Sequence, residues 1–421
     1  MSIVGADAVD AAASAGRLHL SPGDRITPLA RDRATELGVE IIEAPAPART
    51  PASRKTIAVS GGSVPRVDLA GPGALPSPPV PAWFRRGAPY PQLRGRATAS
   101  RDTLDAEWGR GRTARVTVVG AGNVGTHAAM RLAETDLIDE IVLVDVVEGL
   151  AKGVALDLTH ASALLGFDAR IRGESSIEAA GASDYTIITA GRPRQPGMSR
   201  TDLTATNAEI VGSLAASVGR VSPDGVIVVV TNPLDEMTQL AWTSSGLPSS
   251  RVVGMAGLLD SARFQALAGL ESGTRPDSVA GLALGSHGDE MVIPVSQTRV
   301  GGAVAAERLG DRLPAVGDRA RNSGAEVVGL LGRGSAFITP GLTSARMVEH
   351  MIRDDGAVVP ATVRPDGQYG IDGVYVGLPV RLGRRGLREI VTLSLTPDEL
   401  AQLRAAAAQI RTRIADLPTA G

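Results

Sequence analysis

The hydrophobic pattern changes at about residue 114. From Ala114 onward, continuous apolar runs end in Gly, Asp or Asn and alternate with helix-like stretches; the runs are RVTVVGAG, EIVLVD, YTIITAG, VIVVVTNP and RVVGMAG. Runs that are apolar at every position are typical of parallel strands covered by helices on both faces. The pattern therefore predicts an α/β domain over residues 114–257, built as a Rossmann-type, doubly wound parallel sheet.

After residue 258 the pattern becomes mixed. Long helices are predicted near 302–334 and 341–353, and a last helix from Thr396 to Ile414. Between them, VVPATVRPDGQYGIDGVYVGLPVRLG has the alternation and turn residues of a hairpin. We expect a second, α+β domain over residues 258–415 that would provide the substrate side of the molecule.

Residues 1–113 predict a largely irregular extension. Pro, Gly, Ala, Arg and Ser dominate residues 44–53 and 61–95, and such segments bury too little apolar area to offset the entropy of ordering the chain. We interpret both as linkers. The extension as a whole is either a mobile tail or a docking segment for a partner.

One helix is predicted inside this extension. Thr27-Pro28 fits an N-cap followed by proline at the first helical position, and Gly38 fits a C-terminal stop. Strands are expected on either side, at Leu18–Leu20 and Val39–Ile42. The segment GDRITPLARDRATELGVEI resembles short helical segments of bacterial microcompartment proteins, which implies association with such a compartment.

Composition excludes several classes of protein. A chain of 421 residues with a formal charge of −2 can hold two or three domains, but it lacks the basic excess that nucleic acid or an anionic membrane would require. The absence of cysteine excludes disulfides, thiolate metal sites and a cysteine nucleophile. The start, MSIVGADAVDAAASAG, lacks the pattern of a signal peptide, and no apolar run approaches the ~20 residues of a membrane helix. We expect a cytoplasmic protein with no nucleic-acid or membrane partner.

The segment VTVVGAGNVG places three glycines at G-x-G-x-x-G spacing between a predicted strand and a predicted helix. Gly120 would permit the tight turn, Gly122 would let the backbone approach a pyrophosphate, and Gly125 would let helix and strand pack closely. The spacing alone is a weak signal, because small residues also form ordinary turns. Its position after a strand makes a dinucleotide site the favoured interpretation.

Asp145 strengthens this interpretation. It ends the next predicted strand, twenty positions after Gly125, near the interval expected for the acid that binds the adenosine ribose. An acid there repels a 2′-phosphate, so NAD is favoured over NADP as the cofactor. The alternative is that Asp145 only caps a helix.

Charged side chains follow the later strands. TAGRPRQPGMSRTDL places arginines in a Pro/Gly loop, which is either a solvated surface or a lid whose guanidinium groups bind carboxylates. TNPLDEMT puts Asn232 at the end of a strand. MAGLLDSARF puts Asp260 and Arg263 on one face of a helix, where they form either a surface ion pair or part of a site.

The stretch LALGSHGDEM presents a histidine at the end of an apolar run. Glycines flank His287 and leave its ring uncovered, whereas bulky neighbours would surround a buried structural histidine. The other histidines have no zinc-like spacing, so we assign His19, His127, His160 and His350 to packing or the surface and expect no metal.

In this order, the motifs GxGxxG, LVD, TAGxPRxPGMSRxDL, TNPLD, MAGxLDSARF and GxHGD resemble the lactate/malate dehydrogenase family, and most of all its bacterial NAD-dependent malate dehydrogenases. The resemblance covers about Ala114 to Ile414. It implies an oxidoreductase that transfers a hydride between NAD and a 2-hydroxy dicarboxylic acid, most readily malate/oxaloacetate, in the tricarboxylic acid cycle. It also implies a homodimer or homotetramer.

The resemblance implies roles for individual residues. His287 would transfer the substrate proton, with Asp260 orienting its ring and Arg200 polarising the carbonyl. Arg263 would bind the C1 carboxylate, and Asn232 would face the substrate oxygen and the nicotinamide. The expected cofactor contacts are Gly120, Gly122, Asn123, Val124, Gly125, Asp145, Asn207 and Asn232.

Substrate choice is expected to rest on Arg194. This position resembles the one where the family has glutamine for lactate and arginine for malate. A second guanidinium requires a second carboxylate, and pyruvate would leave it unpaired in a closed pocket. The alternative is a lactate or other 2-hydroxyacid dehydrogenase.

Some positions depart from the family pattern. The family has a small or hydroxyl residue at the position of Glu290, often Gly or Glu at that of Ser286, and alanine-like residues at Gly341-Leu342. These differences put turnover and pocket size in question. Two rival functions are an NAD-dependent glycosidase, which usually needs cysteine and histidine for its metal site, and a catalytically weak assembly component that acts through residues 1–113.

Overall fold

The computed structural model describes residues 3–4, 6–21, 25–26, 28–43, 114–147, 149–192, 200–288, 290–332 and 334–415. The chain forms two compact units, Met1–Pro81 and Ala82–Gly421. The Pro- and Gly-rich segments at 44–53 and 61–95, which the sequence predicts to be linkers, lie outside the described residues.

In the described part of the first unit, up to residue 43, the chain forms two parallel strand pairs and two α-helices. Its elements are β1 (Ile3–Val4), α1 (Ala6–Ala12), β2 (Arg17–Leu20), β3 (Arg25–Ile26), α2 (Pro28–Leu37) and β4 (Glu40–Glu43). Strand β1 pairs with β3, and β2 pairs with β4. Val9, Leu20, Ala30, Ala34 and Val39 form a small buried cluster. The helix predicted after Thr27 and the strands predicted on either side of it are therefore present.

Six parallel strands form the centre of the second unit, and helices connect them. The strands are β5 (Ala114–Val119), β6 (Ile138–Val144), β7 (Arg170–Glu174), β8 (Tyr185–Ile188), β9 (Val226–Val229) and β10 (Val252–Gly254). The helices are α3 (Asn123–Ala133), α4 (Leu150–Leu165), α5 (Ile177–Ala180), α6 (Arg200–Val221) and α7 (Leu234–Ser245). Strands β8 and β9 are buried at every position, as expected for runs of β-branched and aromatic residues covered on both faces.

The strand order is β7-β6-β5-β8-β9-β10, so the chain begins in the middle of the sheet and changes direction between β5 and β8. In such sheets a ligand crevice forms at the carboxyl ends of the strands beside this reversal. The register aligns those ends, because Val119 pairs with both Val144 and Ile188, and Ile188 pairs with Val229. Residues that follow these four strands therefore meet along one edge.

The remainder of the unit combines helices with antiparallel strands. Its elements are α8 (Gly257–Ser272), β11 (Val279–Ala280), β12 (Leu284–Gly285), β13 (Met291–Val292), β14 (Arg299–Val300), β15 (Ala303–Val304), α9 (Ala305–Leu309), α10 (Leu313–Leu331), α11 (Ile338–Arg353), β16 (Val358–Val363), β17 (Val376–Gly383), β18 (Gly386–Ile390) and α12 (Pro397–Ala415). The helix predicted near 302–334 is in fact two helices, since Gly310 adopts a left-handed φ of 54° between them.

The antiparallel strands extend the parallel sheet. Strand β16 pairs with β10 through Thr362 and Gly254, and β17 pairs along the whole of β16. Strand β12 then pairs with β17 through Gly285 and Gly377. The strand that leads directly into His287 is thus fixed in the same sheet as the glycine motif.

Helices α3 and α11 cross at close range. A Cβ atom on Gly341 would lie 2.6 Å from Cβ of His127 and 2.7 Å from the carbonyl oxygen of Val124. The absence of a side chain at 341 is therefore required by the contact between the two helices. Glu349, also on α11, contacts Arg131 of α3 at 3.6 Å and strengthens the same crossing.

Candidate active site

The glycine motif forms the turn between β5 and α3. Gly120 has a φ of 103°, a conformation that side chains disfavour. A Cβ on Gly125 would lie 1.9 Å from the carbonyl oxygen of Gly120, so only glycine permits this approach of helix to strand. A Cβ on Gly122 would meet no atom within 4 Å, which leaves open space in front of the start of α3. The turn therefore fits a pyrophosphate at a helix N-terminus.

Asp145 follows β6 and faces this turn. Its Oδ2 accepts a hydrogen bond of 2.8 Å from the N–H of Ala121, and its Oδ1 accepts one of 2.9 Å from the N–H of Val147. The carboxylate is thereby fixed beside the glycine motif. Asn123 is exposed and Val124 is partly exposed at the start of α3, so both residues are near the same open space.

Asn207 joins the ends of β8 and β9. Its buried side chain accepts a hydrogen bond of 2.8 Å from the N–H of Arg192 and donates one of 2.7 Å to the carbonyl oxygen of Asn232. Asn232 is exposed at the carboxyl edge of the sheet. Arg194 lies outside the described residues, and only the backbone of Arg200 is described, at the first position of α6.

His287, Asp260 and Arg263 form one cluster. The Nδ1 atom of His287 lies 2.8 Å from Oδ2 of Asp260, and Nη1 of Arg263 donates to Oδ1 of Asp260 at 3.1 Å. Asp260 is 4% exposed, whereas the His287 side chain is 19% exposed. The carboxylate is therefore shielded from water, while part of the imidazole remains accessible.

The first turns of α8 place Asp260 against the strand that precedes His287. Ser261 donates a hydrogen bond of 2.6 Å to the carbonyl oxygen of Gly257 and accepts one of 2.8 Å from the N–H of Ala283. A Cβ on Gly257 would lie 2.6 Å from the carbonyl oxygen of Ala283, so the helix packs directly on this segment. This contact brings the acid and the histidine together although they are far apart in the chain.

Asp235, near the N-terminus of α7, supports the backbone of His287. Its Oδ2 accepts hydrogen bonds of 3.0 Å from the N–H of His287 and from the hydroxyl of Ser286, and its Oδ1 accepts one of 3.1 Å from the hydroxyl of Thr362. Burial, followed by repulsion from Glu236, raises the pKa of Asp235 to about 6. The contact also places His287 at the start of α7, on the carboxyl side of β9.

The surroundings favour protonation of His287. Burial works to lower the pKa of His287, but attraction to the Asp260 carboxylate and the hydrogen bond between them outweigh it, so the pKa is raised above its ordinary value. Asp235 acts in the same direction, and Arg263 opposes it. A histidine in such surroundings can take up and release a proton near neutral pH.

Arg263 borders α10 as well as Asp260. An atom at the Cβ position of Gly324 would lie 3.6 Å from Nη2 of Arg263, so glycine leaves space next to the guanidinium. The Arg263 side chain is 14% exposed. Its planar fork can therefore bind a carboxylate that enters beside His287.

Two other histidines have local partners. His127 Nδ1 lies 2.7 Å from the carbonyl oxygen of Asn123, and its ring packs against Phe337. His350 Nδ1 lies 2.8 Å from Asp355. Among the residues that the structure describes, no three His, Asp or Glu side chains are grouped so that they could hold a metal ion. No helix in the described ranges is long and apolar enough to cross a membrane.

The structure brings the predicted residues together in two groups. The first consists of the glycine motif with Asp145, and the second of His287, Asp260 and Arg263; Asn207 links Asn232 to Arg192 between the strand ends. Sequence reasoning assigned no role to Asp235 or Ser261, and it noted Ser286 only as a departure from the family pattern. Asp235 lies in the motif TNPLDEMT, where an acid beside an apolar helix face could have indicated a buried supporting role. Arg413, near the end of the last helix, donates a hydrogen bond of 2.8 Å to the Ser286 hydroxyl and carries no local sequence signal.

Fold and site together define an α/β protein with a dinucleotide-type turn and an Asp–His pair at the carboxyl edge of one sheet. Residues 114–254 match the NAD-binding domain of lactate/malate dehydrogenases, and residues 258–418 match the α/β C-terminal domain of the same enzymes. The chain therefore belongs to the lactate/malate dehydrogenase family.

Individual relatives agree with this assignment. The chain is 42% identical over 306 residues to malate dehydrogenase of Pelodictyon phaeoclathratiforme. The aligned residues make up 72% of this chain and 99% of that relative. The crystal structure of malate dehydrogenase from Salinibacter ruber is 39% identical with a TM-score of 0.69, covering 72% of this chain and 97% of that one. A lactate dehydrogenase of Cryptosporidium parvum, solved with lactic acid and NAD, is 32% identical with a TM-score of 0.70. The match covers 73% of this chain and 99% of that chain.

Proposed function

We propose that the protein catalyses the NAD-dependent interconversion of malate and oxaloacetate. The observation that carries this proposal is the cluster of His287, Asp260 and Arg263 at the carboxyl edge of the nucleotide-binding sheet. It provides a proton-transfer group and a carboxylate-binding group side by side. The malate dehydrogenases among its relatives support the choice of substrate.

The proposed cofactor site consists of the open turn and its acid. Gly120, Gly122, Asn123, Val124 and Gly125 would surround the pyrophosphate, whose charge the N-terminus of α3 stabilises. Asp145 would bind the adenosine ribose, and Asn207 and Asn232 would lie toward the nicotinamide. When bound, NAD supplies the acceptor for the hydride that leaves C2 of malate.

His287 would transfer the proton through Nε2. With its Nδ1–H donated to Asp260, the neutral ring presents the lone pair of Nε2 and can accept the hydroxyl proton of malate. In the reverse direction the imidazolium returns this proton to oxaloacetate. The Asp260 carboxylate holds the ring in the required tautomer and stabilises its charged form.

Three arginines would bind and polarise the substrate. Arg263 would bind the C1 carboxylate through two parallel hydrogen bonds, and Arg200 would polarise the reacting carbonyl. Arg194 would pair with the C4 carboxylate, which is present in oxaloacetate and absent from pyruvate. An unpaired guanidinium in a closed pocket costs about 3–5 kcal/mol.

The direct experiment is steady-state oxidation of NADH by the full-length protein with oxaloacetate, pyruvate and 2-oxoglutarate. We expect kcat/KM for oxaloacetate to exceed that for pyruvate by about 10²-fold or more, which corresponds to the cost of the unpaired arginine. NADPH should be a poor replacement for NADH because Asp145 repels its 2′-phosphate. Absence of turnover with all three acids would contradict the proposal.

We further propose that the protein assembles as a homo-oligomer. Helix α4 exposes Leu156 and Leu164, and the C-terminal half of α10 exposes Leu330 and Leu331; Leu164 is 87% and Leu330 83% exposed. Large apolar side chains exposed along a helix are removed from water when a second copy of the chain packs against that helix. Sedimentation equilibrium tests this proposal, since a mass of one chain at micromolar concentration would contradict it.

A further inference from the structure

One guanidinium near the end of α12 contacts three residues on two other segments of the chain. Arg413 donates to Oε1 of Glu236 at 2.5 Å, to Oε1 of Glu290 at 3.2 Å and to Oγ of Ser286 at 2.8 Å. Glu236 lies on α7. Ser286 and Glu290 lie on either side of His287, so a single side chain fastens this segment both before and after the histidine.

The contact with Ser286 continues to the backbone of His287. The Ser286 hydroxyl accepts from Arg413 and donates to Oδ2 of Asp235. The same oxygen of Asp235 accepts the N–H of His287. Consecutive hydrogen bonds with charged members polarise one another and strengthen the chain. A continuous path of hydrogen bonds therefore leads from Arg413 to the main chain of His287.

The burial of Glu236 makes its ion pair with Arg413 important for the stability of this arrangement. Glu236 is 4% exposed, so its carboxylate needs a charged partner, and Arg413 provides one. Glu290 is more exposed and adds a second, weaker pair. Because the geometry of a planar fork is fixed, an arginine held by Glu236 can reach Ser286 and Glu290 only when their segment is correctly placed.

We infer that Arg413 is a positioning residue for His287, which it keeps in register with Asp260 by holding the segment from Ser286 to Glu290. This inference rests on the proposed function, because proton transfer is the step that requires the register. Misplacement of a reacting group by about 1 Å can reduce a rate by roughly 10²-fold. Among the residues that the structure describes, the charged groups that face His287 are Asp260 and Arg263 of α8, and Asp235 of α7.

The test compares Arg413→Met with Arg411→Met in the full-length protein. Arg411 lies on the same helix, is exposed, and donates to the carbonyl oxygen of Asp372, away from His287. We expect Arg413→Met to lower kcat by about tenfold or more while the Kd for NADH and the KM for oxaloacetate change little. Arg411→Met should leave all three values unchanged.

If Arg413→Met does not fold, two milder variants test the same inference. Arg413→Lys retains the charge beside Glu236 but cannot reach all three partners, and Glu290→Gln removes one partner at a half-exposed position. Both variants should lower kcat by smaller factors than Arg413→Met. In the double variant of Arg413→Lys and Glu290→Gln, kcat should fall by less than the product of the two single factors, because the two residues are coupled. A double variant whose loss equals the product of the single losses, or unchanged kcat in both single variants, would overturn the inference.

A readout that does not depend on turnover separates this inference from the proposed function. The Nδ1 proton shared by His287 and Asp260 should give a low-field proton resonance in the wild type and in Arg411→Met. It should broaden or disappear in Arg413→Met. An inactive wild type that retains the resonance would refute the proposed function alone, whereas an unchanged resonance and kcat in Arg413→Met would refute the positioning role.

Discussion

The Nδ1 atom of His287 lies 2.8 Å from Oδ2 of Asp260, although the two residues are 27 positions apart in the chain. The bond occupies one ring nitrogen and directs the other away from the carboxylate. Because Ser261 binds the N–H of Ala283, the helix that carries the acid and the segment that carries the histidine are fixed to each other. Orientation of the imidazole is thus a property of the folded scaffold.

Asp260→Asn should lower kcat by about 10²-fold or more. An amide can donate to Nδ1, which would place the proton on Nε2 and leave the wrong tautomer for accepting a proton from malate. Loss of the negative charge should also lower the pKa of His287, which Asp260 raises in the wild type. Asp277→Asn is a matched control, since Asp277 is an exposed acid paired with Arg275.

The pH dependence of activity shows the direction in which Asp260→Asn shifts the pKa of His287. Oxaloacetate reduction needs the imidazolium, so its activity declines as pH rises through the pKa of His287. With that pKa lowered, the decline should begin at lower pH in Asp260→Asn than in the wild type. Malate oxidation needs the neutral ring, and its acidic limb should move to lower pH by the same amount. Limbs that stay in place would count against this assignment of the proton-transfer group.

Arg263→Lys should reduce kcat/KM for oxaloacetate by roughly 10–100-fold. An ammonium cannot form two parallel hydrogen bonds with a carboxylate, and each charge-assisted bond contributes about 1.5–3 kcal/mol. NADH affinity, measured by fluorescence titration, should be unaffected. Arg275→Lys provides the exposed control. A loss confined to NADH binding would show that Arg263 does not bind the substrate.

Two glycines of one motif should respond differently to alanine. Gly125→Ala places Cβ against the carbonyl oxygen of Gly120 and should destabilise the fold by about 1–3 kcal/mol. Gly122→Ala meets no protein atom and should keep the wild-type Tm, yet lower NADH affinity about tenfold because its methyl group occupies the space for the pyrophosphate. Thermal melts and NADH titrations of both variants check this contrast. Unchanged affinity in Gly122→Ala would exclude the turn as the cofactor site.

Arg194→Gln should shift the preference from dicarboxylic toward monocarboxylic 2-keto acids. Removing the guanidinium takes away the partner of the C4 carboxylate and ends the penalty that pyruvate incurs. The ratio of kcat/KM for oxaloacetate to that for pyruvate should fall by about 10²-fold or more. If the ranking of the acids stays the same, specificity resides elsewhere.

The apolar pattern predicted most of the elements because local physics determines them. Strands β8 and β9 are runs of β-branched and aromatic residues buried at every position, and their pattern identifies them without reference to the rest of the chain. Gly120 and Gly125 were predicted for the same reason, since each is required by the geometry of one turn. The sequence also led to the Asp260–His287 pair, through the resemblance to a family.

The residues that hold the segment around His287 could not be predicted from local sequence patterns. Asp235, Ser286 and Arg413 meet only because three distant segments converge on one edge of the sheet. Their separations, 51 residues for Asp235 and Ser286 and 127 for Ser286 and Arg413, follow no period of a helix or strand. Until its partners are known, Arg413 looks like any solvated arginine of α12, which also carries Arg404 and Arg411.

Strand β10 pairs with β9 on one side and with β16 on the other, so the nucleotide-binding strands and the strand that leads to His287 belong to one uninterrupted hydrogen-bonded sheet. A hinge between two rigid bodies would have to break this ladder. Within the described part of the second unit, closure around a ligand by such a hinge would therefore cost the pairing between β10 and β16. We expect ligand-linked movement in segments outside the sheet, while the strand pairing maintains the separation between the glycine turn and the imidazole.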